Sequence, residues 1–169
     1  MGDDRVHDLE IDQDLAFMRR SWIAQRAGWL GMGIILVLAV AGVFGSGPFS
    51  RSEGGVPGLL HVGYQRFARC QAPHTLTVRL EPAATRTGEV RLWVDRRYLA
   101  DSRVDAVTPP PTRVEAAGDR LVYVFSTSQP GRPLTVVFAL QAERFGRGTG
   151  RVGVDGAEAF AEFWQLVYP

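Results

Sequence analysis

The side chains that most often carry chemistry are few and scattered in this chain of 169 residues. Its histidines, His7, His61 and His74, are too far apart for the usual metal-site spacings. The single cysteine, Cys70, excludes an internal disulfide, and a lone cysteine is most often a small buried apolar residue. No Gly-x-Ser-x-Gly motif occurs, and the absence of lysine excludes Ser-x-x-Lys. We therefore expect no catalytic, metal or cofactor site, and a protein that is not an enzyme.

A glycine-rich segment, residues 145–150, is the one stretch that resembles a phosphate loop, because three of its residues are alternating glycines. A phosphate loop needs a strand before it, a helix after it and, in the Walker form, a Lys-Ser/Thr pair. Here strands are expected on both sides. The segment is therefore predicted to be a hairpin loop.

An aromatic and arginine-rich cluster, Tyr64, Arg66, Phe67 and Arg69, is the strongest local concentration of interaction chemistry. Arginine binds carboxylates and phosphates through paired hydrogen bonds. The cluster is therefore predicted to meet lipid headgroups or an acidic loop of a partner. The alternative is an edge strand whose arginines are solvated or lie against carboxylates of the domain itself.

The C-terminal run, residues 160–168, places apolar side chains on both faces of a predicted strand. A central strand is the simpler interpretation, and an edge strand that docks on another subunit is the alternative. The run completes the set of candidate partner-contact residues, which are Tyr64, Arg66, Phe67, Arg69, Trp164 and Tyr168.

Residues 27–44 form a run of eighteen residues without a charge. This run would position the candidate contact residues relative to a membrane. As a helix it would rise about 27 Å, close to the ~30 Å hydrocarbon core of a bilayer. We predict a single transmembrane helix. Arg19, Arg20 and Arg26 precede it closely, whereas only Arg51 follows within fifteen residues. The positive-inside rule then places the N-terminus in the cytoplasm and the C-terminal domain in the periplasm or outside the cell, with the helix in the inner (plasma) membrane.

Residues 1–26 are predicted to form a cytoplasmic amphipathic arm that runs into this helix. Ile11, Leu15, Met18 and Trp22 are spaced 4, 3 and 4 residues apart, as on one face of a helix. Arginines and tryptophans of the arm and of the start of the span are predicted to lie at the lipid headgroups. These membrane-interface residues are Arg19, Arg20, Trp22, Arg26 and Trp29.

Small residues recur at four-residue spacing along the span and its edges, in a pattern that lets two helix backbones approach closely in lipid. The alternative is that glycine and alanine are simply common in membrane helices. The predicted helix-packing residues are Ala24, Ala27, Gly28, Gly31, Ala41 and Gly45.

A cleaved export signal is a competing interpretation of the N-terminal region. Residues 19–23 read Arg-Arg-Ser-Trp-Ile, which is similar to a twin-arginine signal, and residues 39–41 resemble an Ala-x-Ala cleavage site. Against it stand the long acidic leader, the Gln25-Arg26 interruption and the apolar character that continues past the cut. We favour a retained anchor.

Beyond a Gly/Ser/Pro-rich linker at residues 45–58, residues 59–169 are predicted to form an exported all-β domain. Seven or eight short strands alternate apolar and polar residues with period two, and Asp155-Gly156 predicts a two-residue hairpin turn. We predict an antiparallel β-sandwich, immunoglobulin-like in architecture but without its disulfide, with a small closed β-barrel as the alternative. The predicted strands are residues 61–69, 75–80, 90–95, 97–107, 121–125, 134–141, 151–154 and 160–168.

Two local patterns carry a resemblance: RRxWxxQRxGW at residues 19–29, and YxRFxR at residues 64–69 followed by Thr75-Leu76 and a strand. Together they resemble small bacterial single-pass inner-membrane proteins of unknown function with an exported β-domain. The resemblance implies a companion of a polytopic membrane protein. It implies no chemistry.

The charge balance of 19 arginines against 18 carboxylates gives a net charge of +1, which indicates no nucleic-acid partner. The partners we expect are the lipid bilayer and either a polytopic membrane protein or further copies of the chain. The sequence thus predicts a bitopic accessory subunit. The alternative is a module that senses a ligand in the envelope and transmits a signal through the membrane.

Overall fold

The computed structural model describes residues 15–40 and 50–169. The chain divides into two compact units, Met1–Leu38 and Ala39–Pro169. The first contains a long helix and the second a β-domain. Several predictions fall on residues that the structure does not describe. These are residues 1–14 of the arm with His7 and Ile11, residues 41–44 of the span with Ala41, and residues 45–49 of the linker with Gly45.

Helix α1 (Leu15–Val40) has 26 residues. It is therefore about 39 Å long at 1.5 Å per residue. Its segment Met18–Val40 is long and apolar enough to cross a membrane, by length and composition. The helix begins twelve residues before the predicted span, so residues 15–26 of the predicted arm and residues 27–40 of the predicted span form one continuous helix. Every side chain described in it is exposed.

The described part of the β-domain contains eleven strands, rather than the seven or eight expected, together with one short α-helix and one 3-10 helix, Pro82–Thr85. The strands are β1 (Arg51–Val56), β2 (Leu60–Gln65), β3 (Phe67–Arg69), β4 (Pro73–Leu80), β5 (Glu89–Asp95), β6 (Ser102–Thr108), β7 (Arg113–Ala117), β8 (Arg120–Ser126), β9 (Leu134–Ala142), β10 (Gly146–Val154) and β11 (Phe160–Tyr168).

The strands form two sheets. Sheet I has the order β1-β2-β4-β9-β6, and sheet II has the order β3-β11-β10-β5-β8-β7. Neighbours are antiparallel except for β3 and β11, which are parallel. The separation into two sheets agrees with a sandwich rather than one closed barrel.

The core lies between the sheets because each strand alternates buried and exposed residues. In β4, Leu76, Val78 and Leu80 are buried, as the sequence predicted, while Thr75 and Arg79 are exposed. Both sheets contribute to one cluster of apolar side chains, among them Leu60, Leu76, Phe138 and Leu140 from sheet I and Leu92, Phe125, Val152 and Phe163 from sheet II.

The short helix α2 (Arg96–Ala100) replaces the start of the weak strand predicted at residues 97–107. The carboxylate of Asp95 accepts a hydrogen bond from the backbone N–H of Arg97, which caps the helix. Tyr98 and Leu99 are buried in the core. Strand β6 then begins at Ser102.

The predicted linker at residues 45–58 is wrong from Arg51 onward, because β1 forms a hairpin with β2 in register from Arg51↔Gln65 to Val56↔Leu60. Gly58, with φ of +74°, lies in the connecting turn. A composition of glycine and serine has low strand propensity, so the strand depends on its pairing with β2.

Three further strand predictions are corrected. The predicted strand at residues 61–69 is two strands in different sheets, with Arg66 between them. Residues 146–150 lie in β10 rather than in a hairpin loop. The connection between β10 and β11 spans residues 155–159 instead of the two-residue turn expected, and Gly156 adopts φ of +87° within it.

Candidate functional site

The outer face of sheet II carries the side chains predicted to contact a partner. In β11, Ala161, Phe163, Gln165 and Val167 are buried toward the core, so the intervening residues face outward. Those outward residues are Phe160, Glu162, Trp164, Leu166 and Tyr168.

Trp164 is the centre of this face. The guanidinium groups of Arg66 and Arg147 lie 5.7 Å and 5.3 Å from the centroid of its indole, both within cation–π distance. The ring of Phe67 meets it edge to face at 6.2 Å. Leu166, which pairs with both Arg147 and Phe67, is 39% exposed. We call these five residues the Arg–aromatic patch.

The crossing from β2 to β3 fixes one side of the patch. The backbone N–H of Arg66 donates to the carbonyl of Ser50 at 2.6 Å, and its own carbonyl accepts from the N–H of Leu166 at 2.7 Å. The buried hydroxyl of Ser50 donates to the carbonyl of Phe67 at 3.1 Å. These bonds hold the backbone of Arg66 and Phe67 beside β11.

The patch is cationic. Within residues 15–40 and 50–169, no carboxylate lies within 4 Å of the guanidinium groups of Arg66, Arg69 or Arg147. One indole thus has two guanidinium groups near its ring, and no described carboxylate forms an ion pair with either of them. Each guanidinium group can bind a carboxylate or phosphate through paired hydrogen bonds. A partner that supplies this anion could also cover the exposed apolar side chains beside it.

The other half of the same face satisfies its own charges. Arg91 contacts Glu115 at 2.9 Å and Asp155 at 2.8 Å, and Arg113 contacts Glu115 at 2.6 Å. Hydrogen bonds from Arg113 and then Arg91 lower the pKa of Glu115 below its ordinary value. This half is therefore a network of paired, solvated charges.

A second tryptophan on this face is buried rather than available. Trp93 is 2% exposed, with the guanidinium of Arg120 at 4.1 Å from its ring and Phe160 at 6.0 Å. A Cβ built on Gly153 would lie 2.8 Å from its indole, so the ring rests directly on that glycine. Its indole N–H has no partner in the described part of the chain.

Five of the six predicted partner-contact residues lie at this face. Arg66, Phe67 and Trp164 belong to the patch, and Arg69 and Tyr168 follow at the same edge by the register of β3 with β11. Tyr64 does not. Its ring lies 5.2 Å from that of Phe163, which is buried in the core.

Sequence reasoning missed Arg147 and Leu166. Arg147 was assigned to a loop, whereas β10 places it on the same face as Trp164. The alternation of glycine with Arg147, Thr149 and Arg151 was the signal that could have identified a strand, since it repeats every two residues.

Of the residues considered for other chemistry, the structure describes His61, His74 and Cys70, and His7 lies outside the described residues. His74 is 3% exposed, and neither ring nitrogen has a hydrogen-bond partner among the described residues. Burial lowers the pKa of His74, and the backbone of Ala72 opposes this effect. The thiol of Cys70 lies 3.7 Å from the carbonyl of Ala142. Among the described residues, no group of three or more His, Cys, Asp or Glu side chains is placed so that it could hold a metal ion.

On α1, the described members of the predicted packing set occur at positions i, i+3, i+4 and i+7, so they share one helix face. All of them are exposed. Among the predicted membrane-interface residues, the guanidinium of Arg26 lies 3.8 Å from the centroid of Trp22, one turn earlier, while Arg19, Arg20 and Trp29 are exposed. The packing set described is Ala24, Ala27, Gly28 and Gly31.

No family model matches the sequence, and no curated protein matches it. Among solved structures, the chain is similar to a cohesin module from Clostridium perfringens ATCC13124 family 33 glycoside hydrolase, with a TM-score of 0.45 and 6% sequence identity. That likeness covers 69% of this chain and 98% of the module. It concerns the fold alone.

Proposed function

We propose that this protein is a non-enzymatic, single-pass accessory subunit of the inner membrane. In this proposal its N-terminus is cytoplasmic, α1 packs beside a polytopic membrane protein or another copy of the chain, and an exported immunoglobulin-like β-domain completes the contact. The observation that carries the proposal is Trp164 on an outer sheet face, between the guanidinium groups of Arg66 and Arg147, which no described carboxylate neutralises.

The composition of the Arg–aromatic patch supports a protein contact. Aromatic residues and arginine are enriched in interfaces, and tryptophan and arginine dominate the residues whose loss weakens binding most. Here both types lie beside Leu166, an exposed apolar side chain. An acidic segment of a partner would neutralise the arginines and cover the indole in one contact.

The exposed small-residue face of α1 supports association within the bilayer. A Cβ added to Gly28 or Gly31 would meet no described heavy atom within 4 Å outside the backbone of its own helix. In lipid, where no hydrophobic effect drives helices together, close backbone approach at such residues is the main source of association.

A photo-crosslinking residue at position 166 of the full chain, in native membranes, tests the patch. We expect a discrete adduct at position 166, and a several-fold weaker one when Arg147→Ala is added. The control is the same crosslinker at Thr135, an exposed position on the outer face of sheet I. Equal labelling at the two positions would refute the proposal for the patch.

The helix contact is tested separately. Gly28→Leu combined with Gly31→Leu should reduce detergent-stable recovery of the complex, because the larger side chains separate the two helix backbones. Gly33→Leu is the matched control, since position 33 lies on the opposite side of α1 from Gly31 and is equally open among the described residues. Loss of the complex in the control as well would show that helix insertion, not packing, was damaged.

Ligand sensing in the envelope is the second candidate function. The observation that favours it is a cleft of about 920 Å³ in the β-domain, lined by Tyr98, Gln165 and several charged side chains. Thermal-shift screening of the full chain against small envelope metabolites would show stabilisation by a specific compound if sensing is its role.

A further inference from the structure

Strand β10 extends beyond its neighbour in sheet II. It pairs with β11 from Gly146 to Gly153, but with β5 only from Val152 to Val154. Strand β5 ends at Asp95, where α2 begins. Residues 146–151 of β10 therefore have a neighbouring strand on one side only, and their other edge borders the 920 Å³ cleft.

The register shows which backbone groups face that cleft. The N–H of Leu166 donates to the carbonyl of Arg66, on the side of β11 that faces away from β10. Leu166 and Arg147 are therefore a pair without hydrogen bonds between them, and the N–H and carbonyl of Arg147 point away from β11. At the other end of β10, the N–H of Asp155 donates to the carbonyl of Arg91, on the β5 side. Odd-numbered residues of β10 thus point toward β5, and at Arg147 and Thr149 no described strand is there to meet them.

These backbone groups have no partner in the part of the chain that the structure describes. Neither the N–H nor the carbonyl of Arg147 or Thr149 forms a hydrogen bond within residues 15–40 and 50–169. Two donors and two acceptors at strand spacing are thus available along one edge. Extended peptides bind such an edge by adding a strand.

The inner side of this edge has room for side chains. A Cβ built on Gly148 would meet no described atom within 4 Å, whereas one on Gly150 would strike the rings of Phe163 and Tyr98. The glycine at position 148 therefore leaves space between the sheets at the point where the edge is unpaired. Side chains of an added strand that point inward would occupy it.

The charged side chains that line the cleft bear on which side chains of an added strand would be favoured on its outward face. Its paired charges are Arg151 with Asp95 and Asp119, at 3.2 Å and 3.4 Å, and Arg144 with Asp101 at 3.4 Å. Among the described residues of the lining, Arg97, Arg147 and Glu162 form no ion pair. The lining as a whole is balanced, with four arginines (Arg97, Arg144, Arg147 and Arg151) and four carboxylates (Asp95, Asp101, Asp119 and Glu162). At the unpaired edge itself, however, the charged side chain is Arg147, which has no ion-pair partner among the described residues, so a carboxylate of the ligand is favoured at that point.

One other edge of the described sheets is protected more fully than this one. The β6 edge of sheet I carries a bulge between Val104 and Ala106 and the charged pair Arg103–Asp105. Bulges and charges are the usual means of preventing strand addition. The exposed segment of β10 has no bulge in its register with β11, and its charged residues, Arg147 and Arg151, are both basic, so they oppose the addition of a basic strand rather than an acidic one.

We infer that the unpaired edge of β10 at Arg147 and Thr149 binds an extended acidic peptide segment of a partner protein, which adds to sheet II as a strand. Alternate side chains of the peptide enter the space above Gly148, and a carboxylate on the opposite face meets Arg147. The inference does not rest on the proposed membrane role of the chain.

Residue-resolved amide exchange on the full chain in detergent micelles tests this inference. The probe is a pool of short synthetic peptides with glutamate at alternate positions and varied residues between. We expect the amides of Arg147 and Thr149 to exchange more slowly with peptide present. The amides of Gly148 and Gly150 face β11 and are internal controls for unfolding.

Two matched probes make the result specific. A fully N-methylated version of the best peptide cannot donate to the edge, and loss of two net hydrogen bonds should weaken binding about tenfold. A lysine-for-glutamate pool should bind Arg147→Glu better than the unaltered chain. Gly148→Val, which fills the space on the inner side of β10, should weaken binding of the acidic peptide. The amide of Gly150 should stay protected from exchange, which shows that β10 remains folded.

Several results would overturn the inference. Unchanged exchange at Arg147 and Thr149, equal binding of the N-methylated peptide, or equal binding of the lysine pool would each do so. Protection of these amides that rises with protein concentration in the absence of peptide would instead assign the edge to a second copy of the chain, which also contradicts a peptide partner.

Discussion

Gly150→Ala is the substitution whose effect follows most directly from the packing. A Cβ at this position would lie 2.5 Å and 2.9 Å from ring atoms of Phe163 and 3.0 Å from a ring atom of Tyr98. Carbon atoms in contact are normally about 3.5–4.0 Å apart. The methyl group therefore requires a ring to move by about 1 Å.

Neither ring can move freely, because the two rest on each other. Tyr98 and Phe163 meet edge to face at 4.9 Å, and Tyr64 holds the far side of Phe163 at 5.2 Å. Overpacking of such a core costs about 1–3 kcal/mol. Replacing glycine by alanine within a strand returns about 0.5–1 kcal/mol. The net expectation is a loss of about 1–2 kcal/mol.

Urea unfolding of the full chain in mild detergent, followed by the β-sheet circular dichroism band, measures this loss. With a slope of about 1–3 kcal/mol per molar urea, the midpoint should fall by about 0.3–2 M. Gly148→Ala is the matched control, on the same face of β10 with no described atom within 4 Å of the new methyl group. It should leave the midpoint unchanged or slightly raised. An equal loss in both variants would refute the packing argument.

Three other outcomes are expected. Burial lowers the pKa of His74, so as the pH falls this histidine is protonated in the unfolded chain before it is protonated in the folded chain. The free energy of unfolding should therefore decrease below about pH 6.5, by at most about 1.4 kcal/mol per pH unit. Urea unfolding at several pH values should show this decrease in the unaltered chain and not in His74→Leu. Glu115→Gln breaks exposed ion pairs, so its effect on unfolding should be smaller than that of Gly150→Ala and should vanish at high salt. Trp93→Ala should cost about 3–5 kcal/mol because that indole is buried, whereas Trp164→Ala should cost well under half as much in the same urea titration.

The alternating strands could be predicted from the sequence because burial follows their period. Residues 75–80, 90–95 and 134–141 fall inside β4, β5 and β9 with their apolar positions facing the core. Residues 121–125 fall inside β8. In each case β-branched and large apolar residues on the inner face made the local preference agree with the tertiary structure.

The missed strand segments lack an apolar inner face, either because they contain glycine, as in β1 and the first part of β10, or because they are mostly exposed, as in β7. In β10, Gly148 and Gly150 lie where an apolar residue would have marked the core face. The room that Gly150 leaves is filled by Tyr98 from α2 and Phe163 from β11, and neither contact is visible in the local sequence. In β1, Gly54 lies on the half-buried side of the strand, so no apolar side chain marks that position either.

The candidate site was predictable only where its residues are adjacent in sequence. The pair Arg66 and Phe67 stood out by type, and Trp164 by its place in an apolar run. Their convergence depends on the parallel pairing of β3 with β11, which residue types alone do not specify. Arg147 completes the site only because β10 is a strand.

The two halves of the outer face of sheet II differ in a way that bears on function. Around Arg91 and Arg113 each guanidinium has carboxylate partners, and the indole of Trp93 is covered by its own domain. Around Trp164 the arginines have no described acid, and the same strand, β10, ends its pairing with β5. Cations without a described partner and an unpaired strand edge thus meet at Arg147. A single acidic, extended segment would satisfy both, which is why this end of the sheet, rather than the ion-paired end, is where we expect a partner to bind.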